Sequence, residues 1–190
     1  MERHIETIRT ALSEAGYEVR VFGKRPKSIP IGRIERIIDM LGTFAAGWGY
    51  AALREELGLF APDAVWLHSC TKTYGLDSVK MLAGYRGRRI FTYHDFSLFS
   101  PFASRMRSLS DVPDTWTLSA YLATLGRTHI IERFYLRLKF RKISSIQHEL
   151  ARFDRHVVPS EFMTDFVRRF IGVPESRIQT LPHFLPERPE

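Results

Sequence analysis

Cysteine is nearly absent, with Cys70 the only one in 190 residues. A lone cysteine excludes an internal disulfide framework and fits a reducing compartment. Long apolar runs are missing as well. The most apolar stretch, 40–52, is short and is followed by Arg54, Glu55 and Glu56, so no membrane span is expected. Met1-Glu-Arg-His is polar and has no apolar segment behind it, which predicts no signal peptide. These absences together predict a cytoplasmic protein. No residue spacing suggests a metal site, and there is no Walker loop. Gly47-Trp-Gly49 lacks both the preceding strand and the third glycine of a dinucleotide loop. The sequence also has no internal repeats and no low-complexity tract.

What is present is an ordinary folding composition, 44% hydrophobic and 26% charged, at a length sufficient for one domain with a core. The net charge of +7 is unevenly spread. Between Arg127 and Arg155 stand eight Lys/Arg against three acids, interleaved with Ile131, Phe134, Leu138, Ile146, Leu150 and Phe153 at roughly helical spacing. Two readings remain open for this basic helix. It is a solvated charged face over a core stripe, or a surface for anionic lipid head groups presented by Arg137, Lys139, Arg141 and Lys142. Nucleic acid is not expected as a partner, because no reading motif accompanies the charge.

The pattern of elements points to an α/β fold, a Rossmann-like and mainly parallel sheet flanked by helices. A helix is predicted over 1–15, a strand over 17–22, a loop over 23–32 and a largely buried helix from Ile34 towards Leu57. Strands follow at 64–68 and 89–94, with a helix at 75–83 between them. The 97–127 segment is irregular apart from some helix at 118–125. The C-terminal unit is the clearest. Strand 156–158 leads to Ser160 at a helix N-cap, then to an apolar face of Phe162, Met163, Phe166, Val167 and Phe170. Gly172 stops that helix, Pro174 prevents its restart, and the next strand runs over 177–181. The chain opens on a helix rather than a strand. A doubly wound sheet places its first strand centrally, so a buried edge would stand open.

Open parallel sheets bind ligands at the carboxyl ends of their strands. His94 and Asp95 occupy that position after the 89–94 strand. The histidine can hydrogen-bond a sugar hydroxyl or relay a proton near neutral pH, with Asp95 orienting it. The alternative is an aspartate capping the next turn beside a satisfied histidine. Ser69, Lys72 and Tyr74 follow the 64–68 strand and suit a polar ligand as well as they suit a generic loop. Cys70, in the same loop, has no evident base partner to make it a nucleophile. Ser160 caps a helix whose N-terminus could receive a phosphate of a nucleotide, with plain capping the simpler reading.

In their order and spacing these segments resemble the N-terminal domain of the family-four, GT-B-fold retaining glycosyltransferases. Glu2-Arg-His-Ile-Glu with Leu12 to Val21 is similar to that family's first helix and second strand. Pro62 to His68 resembles its "PD-x-h-h-h-H" strand, and Thr92-Tyr-His-Asp its "T-x-H-D" segment. Val158-Pro-Ser-Glu, Gly172-Val-Pro and 178–182 resemble the run that closes the domain. The resemblance implies an acceptor-side domain over 1–182 and the start of an interdomain linker at 183–190. It implies transfer of a sugar from a nucleotide-sugar donor to a glycan or lipid-linked acceptor, with no metal or other cofactor. His94 would contact the transferring sugar or polarise a hydroxyl, and Lys72, Tyr74 and the 97–107 loop would help hold the acceptor. Three departures stand out. Met1 falls where the family has already passed its first strand and Gly-Gly loop. Ser100-Pro101 replaces a Cys-Pro found in a subset. The sequence ends where a donor-binding domain would begin, so that domain is expected as a separate partner and the chain alone is expected to be inactive or weak. The competing expectations are a non-catalytic basic module on the inner face of an anionic membrane and a truncated gene fragment.

Overall fold

A computed structural model describes residues 2–23, 49–68, 75–99, 115–123 and 130–182. Its centre is a sheet of four parallel strands, β1 (Ala64–Leu67), β2 (Arg88–Thr92), β3 (Arg155–Val158) and β4 (Ile178–Thr180), laid side by side in chain order. Ala64 pairs with Arg88, Ile90 with Arg155 and His156 with Ile178. Parallel neighbours need a crossover, and helices supply each one. These are α3 (Leu76–Ala83) from β1 to β2, α5 (Ile130–Leu150) with the short α4 (Leu118–Ala123) from β2 to β3, and α6 (Glu161–Phe166) from β3 to β4. Before the sheet come α1 (Glu2–Glu14) and α2 (Tyr50–Phe60). The expected α/β class, with a Rossmann-like parallel sheet flanked by helices, is what the chain adopts.

The strands form where β-branched and aromatic residues run together, and β1, β2 and β3 are buried towards their carboxyl ends while β4 stays largely exposed. Phe91 and Val158 join Val79, Leu82 and Ala83 of α3 and Ile143, Ile146 and Leu150 of α5 in one core. The C-terminal unit keeps its expected shape. Ser160 caps α6, which widens into a π-type turn (Val167–Ile171) before Gly172 takes the left-handed conformation at φ 75° and stops it. Phe96, Phe99, Phe162, Phe166 and Phe170 pack ring against ring beneath this helix.

Two expectations change. Tyr17 to Phe22 forms no strand, and Tyr17, Val21 and Phe22 are exposed. Alternation alone does not make a strand; a neighbour must take its N–H and C=O groups, and β1 pairs only with β2 among the described residues. Arg20 instead holds this segment on α2, bonded to Glu56 and lying over the Phe60 ring. The second change concerns Phe134, which was expected on the apolar stripe of the basic helix. It is 64% exposed, and Leu136 and Ile143 face the core instead. Much of the predicted helix from Ile34 lies outside the described residues; its far end is α2, which runs to Phe60.

Candidate functional site

His68 is the first residue after β1, and His94 stands two residues beyond β2. Because β1 and β2 run parallel and in register, both imidazoles arrive at the same carboxyl edge. Nδ1 of His68 lies 3.2 Å from Nε2 of His94, and the two rings stack with centroids 5.4 Å apart. His4, buried near the start of α1, presents its ring edge-on to both, at 5.9 Å from His68 and 5.7 Å from His94. Three histidines from three separate segments thus meet at the ligand edge of the sheet.

The cluster is braced from behind. The indole of Trp66 stacks on His68 at 5.2 Å, and its Nε1–H donates to Thr92 Oγ1 at 2.7 Å. That bond ties β1 to β2 immediately below the histidines. Burial pushes His68 down to a pKa of about 4, reinforced by the neighbouring His94 and His4. His68 is therefore neutral at physiological pH. Among the described residues no three His, Cys, Asp or Glu side chains stand where they could share a metal ion.

Asp95 takes the turn-capping role, one of its two expected readings. Its Oδ1 accepts the Ser97 N–H at 2.8 Å, closing the turn after β2, and Nε2 of His94 faces Nδ1 of His68. On the other side Asp95 faces Lys139 of α5, whose ammonium is half-buried. Desolvation lowers that lysine's pKa, and Asp95 partly offsets the shift. The other three basic-helix residues separate too. Arg137 and Arg141 are exposed one turn apart, whereas Lys142 is buried, at 9% exposure. At 100° per residue Lys139 and Lys142 lie round the helix from the two arginines, which removes Lys142 from any outer surface. Ser160 spends its hydroxyl on the Met163 N–H at 3.4 Å, a plain cap on a helix of six residues. Ser69, Cys70, Lys72, Tyr74 and the 183–190 linker lie outside the described residues.

Sequence reasoning assigned no role to His4 or His68. The signal existed, since both stand in segments that carry the family resemblance and His68 directly follows a strand. What the sequence could not show was that a helix start, 64 residues away in the chain, returns to the same edge. The family model of Glycosyltransferase Family 4 matches residues 1–187. The chain belongs to that family. No curated protein and no solved structure matches it. Family-4 membership brings a sugar and an acceptor as the general substrate classes, and it covers all three clustered histidines. No helix among the described residues of this family-4 chain is long and apolar enough to cross a membrane.

Proposed function

We propose that the chain is the acceptor-side domain of a glycosyltransferase. In this reading it moves a sugar from a nucleotide-sugar donor to an envelope glycan or lipid-linked acceptor, with the donor held mainly by a second domain. The observation that carries the reading is the meeting of His4, His68 and His94 at the carboxyl edge of a parallel sheet. Imidazoles at a partly desolvated edge suit recognition of sugar hydroxyls, because a neutral ring such as that of His68 offers one donor and one acceptor. His94 contacts the transferring sugar or polarises a hydroxyl, and Lys139 lies close enough to feel the Asp95 charge beside it. Lys72, Tyr74 and Ser69 help hold the acceptor. No metal and no organic cofactor takes part. Efficient transfer needs the donor domain and the closing of the cleft between the two. The test is transfer from a panel of labelled nucleotide sugars into membrane or glycan acceptors, using the chain alone and mixed with a donor domain of the same family. Label incorporated with the donor domain and lost in His94→Ala supports the reading; no transfer in either mixture, unaltered by His94→Ala, defeats it.

A second reading is favoured by one surface. Ile130 at 84% and Phe134 at 64% exposure stand beside Arg133, Arg137 and Arg141 on the outer face of α5. Apolar side chains with guanidiniums around them suit the inner face of an anionic membrane, where the protein would sit peripherally and meet a lipid-linked acceptor. Pelleting with anionic vesicles, weakening as salt rises, is the expected result.

A further inference from the structure

We propose that His68 is a positioning residue for His94, sharing one proton with it and thereby fixing which nitrogen of His94 carries hydrogen at the ligand edge. The inference rests on the reading of His94 as the sugar-side group. A contact of 3.2 Å between two ring nitrogens is attractive only when one of them bears a hydrogen. Two N–H groups would point at one another, and two lone pairs would repel. The pair therefore has two permitted states, and in each the tautomer of one ring dictates that of the other.

The geometry holds this contact at both ends. His68 cannot swing away without losing its stack on Trp66, and Trp66 is bonded to the buried Thr92 hydroxyl. Thr92 lies two residues before His94 on β2, which is paired in register with the strand carrying Trp66. A change in one ring's position is thus resisted by the strand that bears the other. Among the described residues the titratable groups facing His68 are His4 from α1 and His94 beyond β2, and both disfavour a charge on it. Asp95 and Lys139 oppose each other next to the pair. In one of the two states both rings carry their hydrogen on Nε2, the tautomer a histidine side chain ordinarily favours, so the neutral pair settles with His94 Nε2–H donating to Nδ1 of His68. A sugar at this edge meets a His94 ring of one fixed hydrogen pattern.

The experiment is ring-nitrogen NMR on the 190-residue chain labelled with nitrogen-15 histidine, followed from about pH 5 to about pH 8, the range in which an ordinary histidine titrates. The wild-type protein should show His94 as one tautomer. His68→Phe keeps a ring on Trp66 but has no nitrogen; there His94 should become a mixture of tautomers and titrate lower by about half a unit, the loss of one modest hydrogen bond. His68→Asn returns a hydrogen-bonding group near the Nδ1 position and should restore the wild-type pattern. Mixed tautomers for His94 in the wild type, or an unaltered His94 in His68→Phe, would overturn the proposal. The wild-type spectrum alone decides it if His68→Phe does not fold. Sugar transfer plays no part in this readout. A chain that transfers sugar with His94 uncoupled sinks the positioning role alone, and a coupled pair in a chain that transfers nothing sinks only the enzymatic reading.

Discussion

Arg89 and Asp154 lock the amino ends of β2 and β3 together. Nη2 of Arg89 meets Oδ1 of Asp154 at 2.7 Å, while Oδ2 accepts both Nε at 3.0 Å and the Arg89 backbone N–H at 2.8 Å. The remaining Nη1 donates to the carbonyl of Ala83 at the end of α3, so one guanidinium joins two strands and a helix. The pairing holds the Asp154 carboxyl below the usual carboxylate range. Its contribution to stability is present above the unfolded-state carboxylate pKa and is lost as pH falls through the lower folded one.

Arg89→Met and Asp154→Asn are each expected to destabilise the fold by about 1–3 kcal/mol, the range for charge-assisted hydrogen bonds that lose a partner. Urea unfolding should show it, and the double variant should cost clearly less than the two single losses added. Additive losses would mean that the two residues act separately.

This clamp marks how far the sequence could be read. The strand and helix segments were legible because each carries its own period and stop signals, as with Ser160, Gly172 and Pro174. The Arg89–Asp154 pair was not, because it spans 65 positions and depends on strand register. The site divided in the same way. His94 could be found as the residue beyond a buried strand. His4 and His68 gained meaning only when three segments converged. The charge of the basic helix was visible too, but which lysines it buries depends on packing against the sheet.

His156 gives the fold a pH dependence. Its ring is fully buried, stacked on Tyr93, with Nδ1 3.0 Å from the Tyr93 hydroxyl and no hydrogen-bond partner for Nε2 among the described residues. Burial pushes its pKa down to about 4. The unfolded chain, with an ordinary histidine pKa of about 6.5, binds the proton first, so stability is complete above that value and falls as pH drops towards 4. The slope from this residue approaches about 1.4 kcal/mol per pH unit, and half-buried His68 adds a smaller share. Chemical denaturation at pH 7 and pH 5 should reveal the loss, and His156→Phe should flatten it. An equal slope in that variant would assign the effect elsewhere.

The outer face of α5 predicts which charges matter for membrane binding. Arg137→Gln and Arg141→Gln should each weaken pelleting with anionic vesicles by roughly fivefold, following about 1 kcal/mol per arginine near the surface. Phe134→Ser should weaken it at every salt concentration, since its share is apolar. Lys142→Gln should leave binding unchanged and lower thermal stability instead, because Lys142 is buried. Binding that survives the two arginine changes would rule out this face.

Asp95 and Lys139 separate a structural role from an electrostatic one at the edge itself. Asp95→Asn retains an oxygen that can accept the Ser97 N–H, so the turn after β2 and the thermal transition should persist. It removes the negative charge that offsets the desolvation of Lys139, so the pKa of that lysine should fall further. A titration of the lysine ε-carbon resonances reads this directly. If Asp95 serves only the turn, sugar transfer should survive Asp95→Asn while His94→Ala abolishes it. If instead the carboxylate or the charge state of Lys139 takes part in holding a sugar or phosphate, transfer should drop with the lysine's titration although the fold is intact. Arg137→Gln, exposed on the opposite side of α5, should leave the lysine titration where it is.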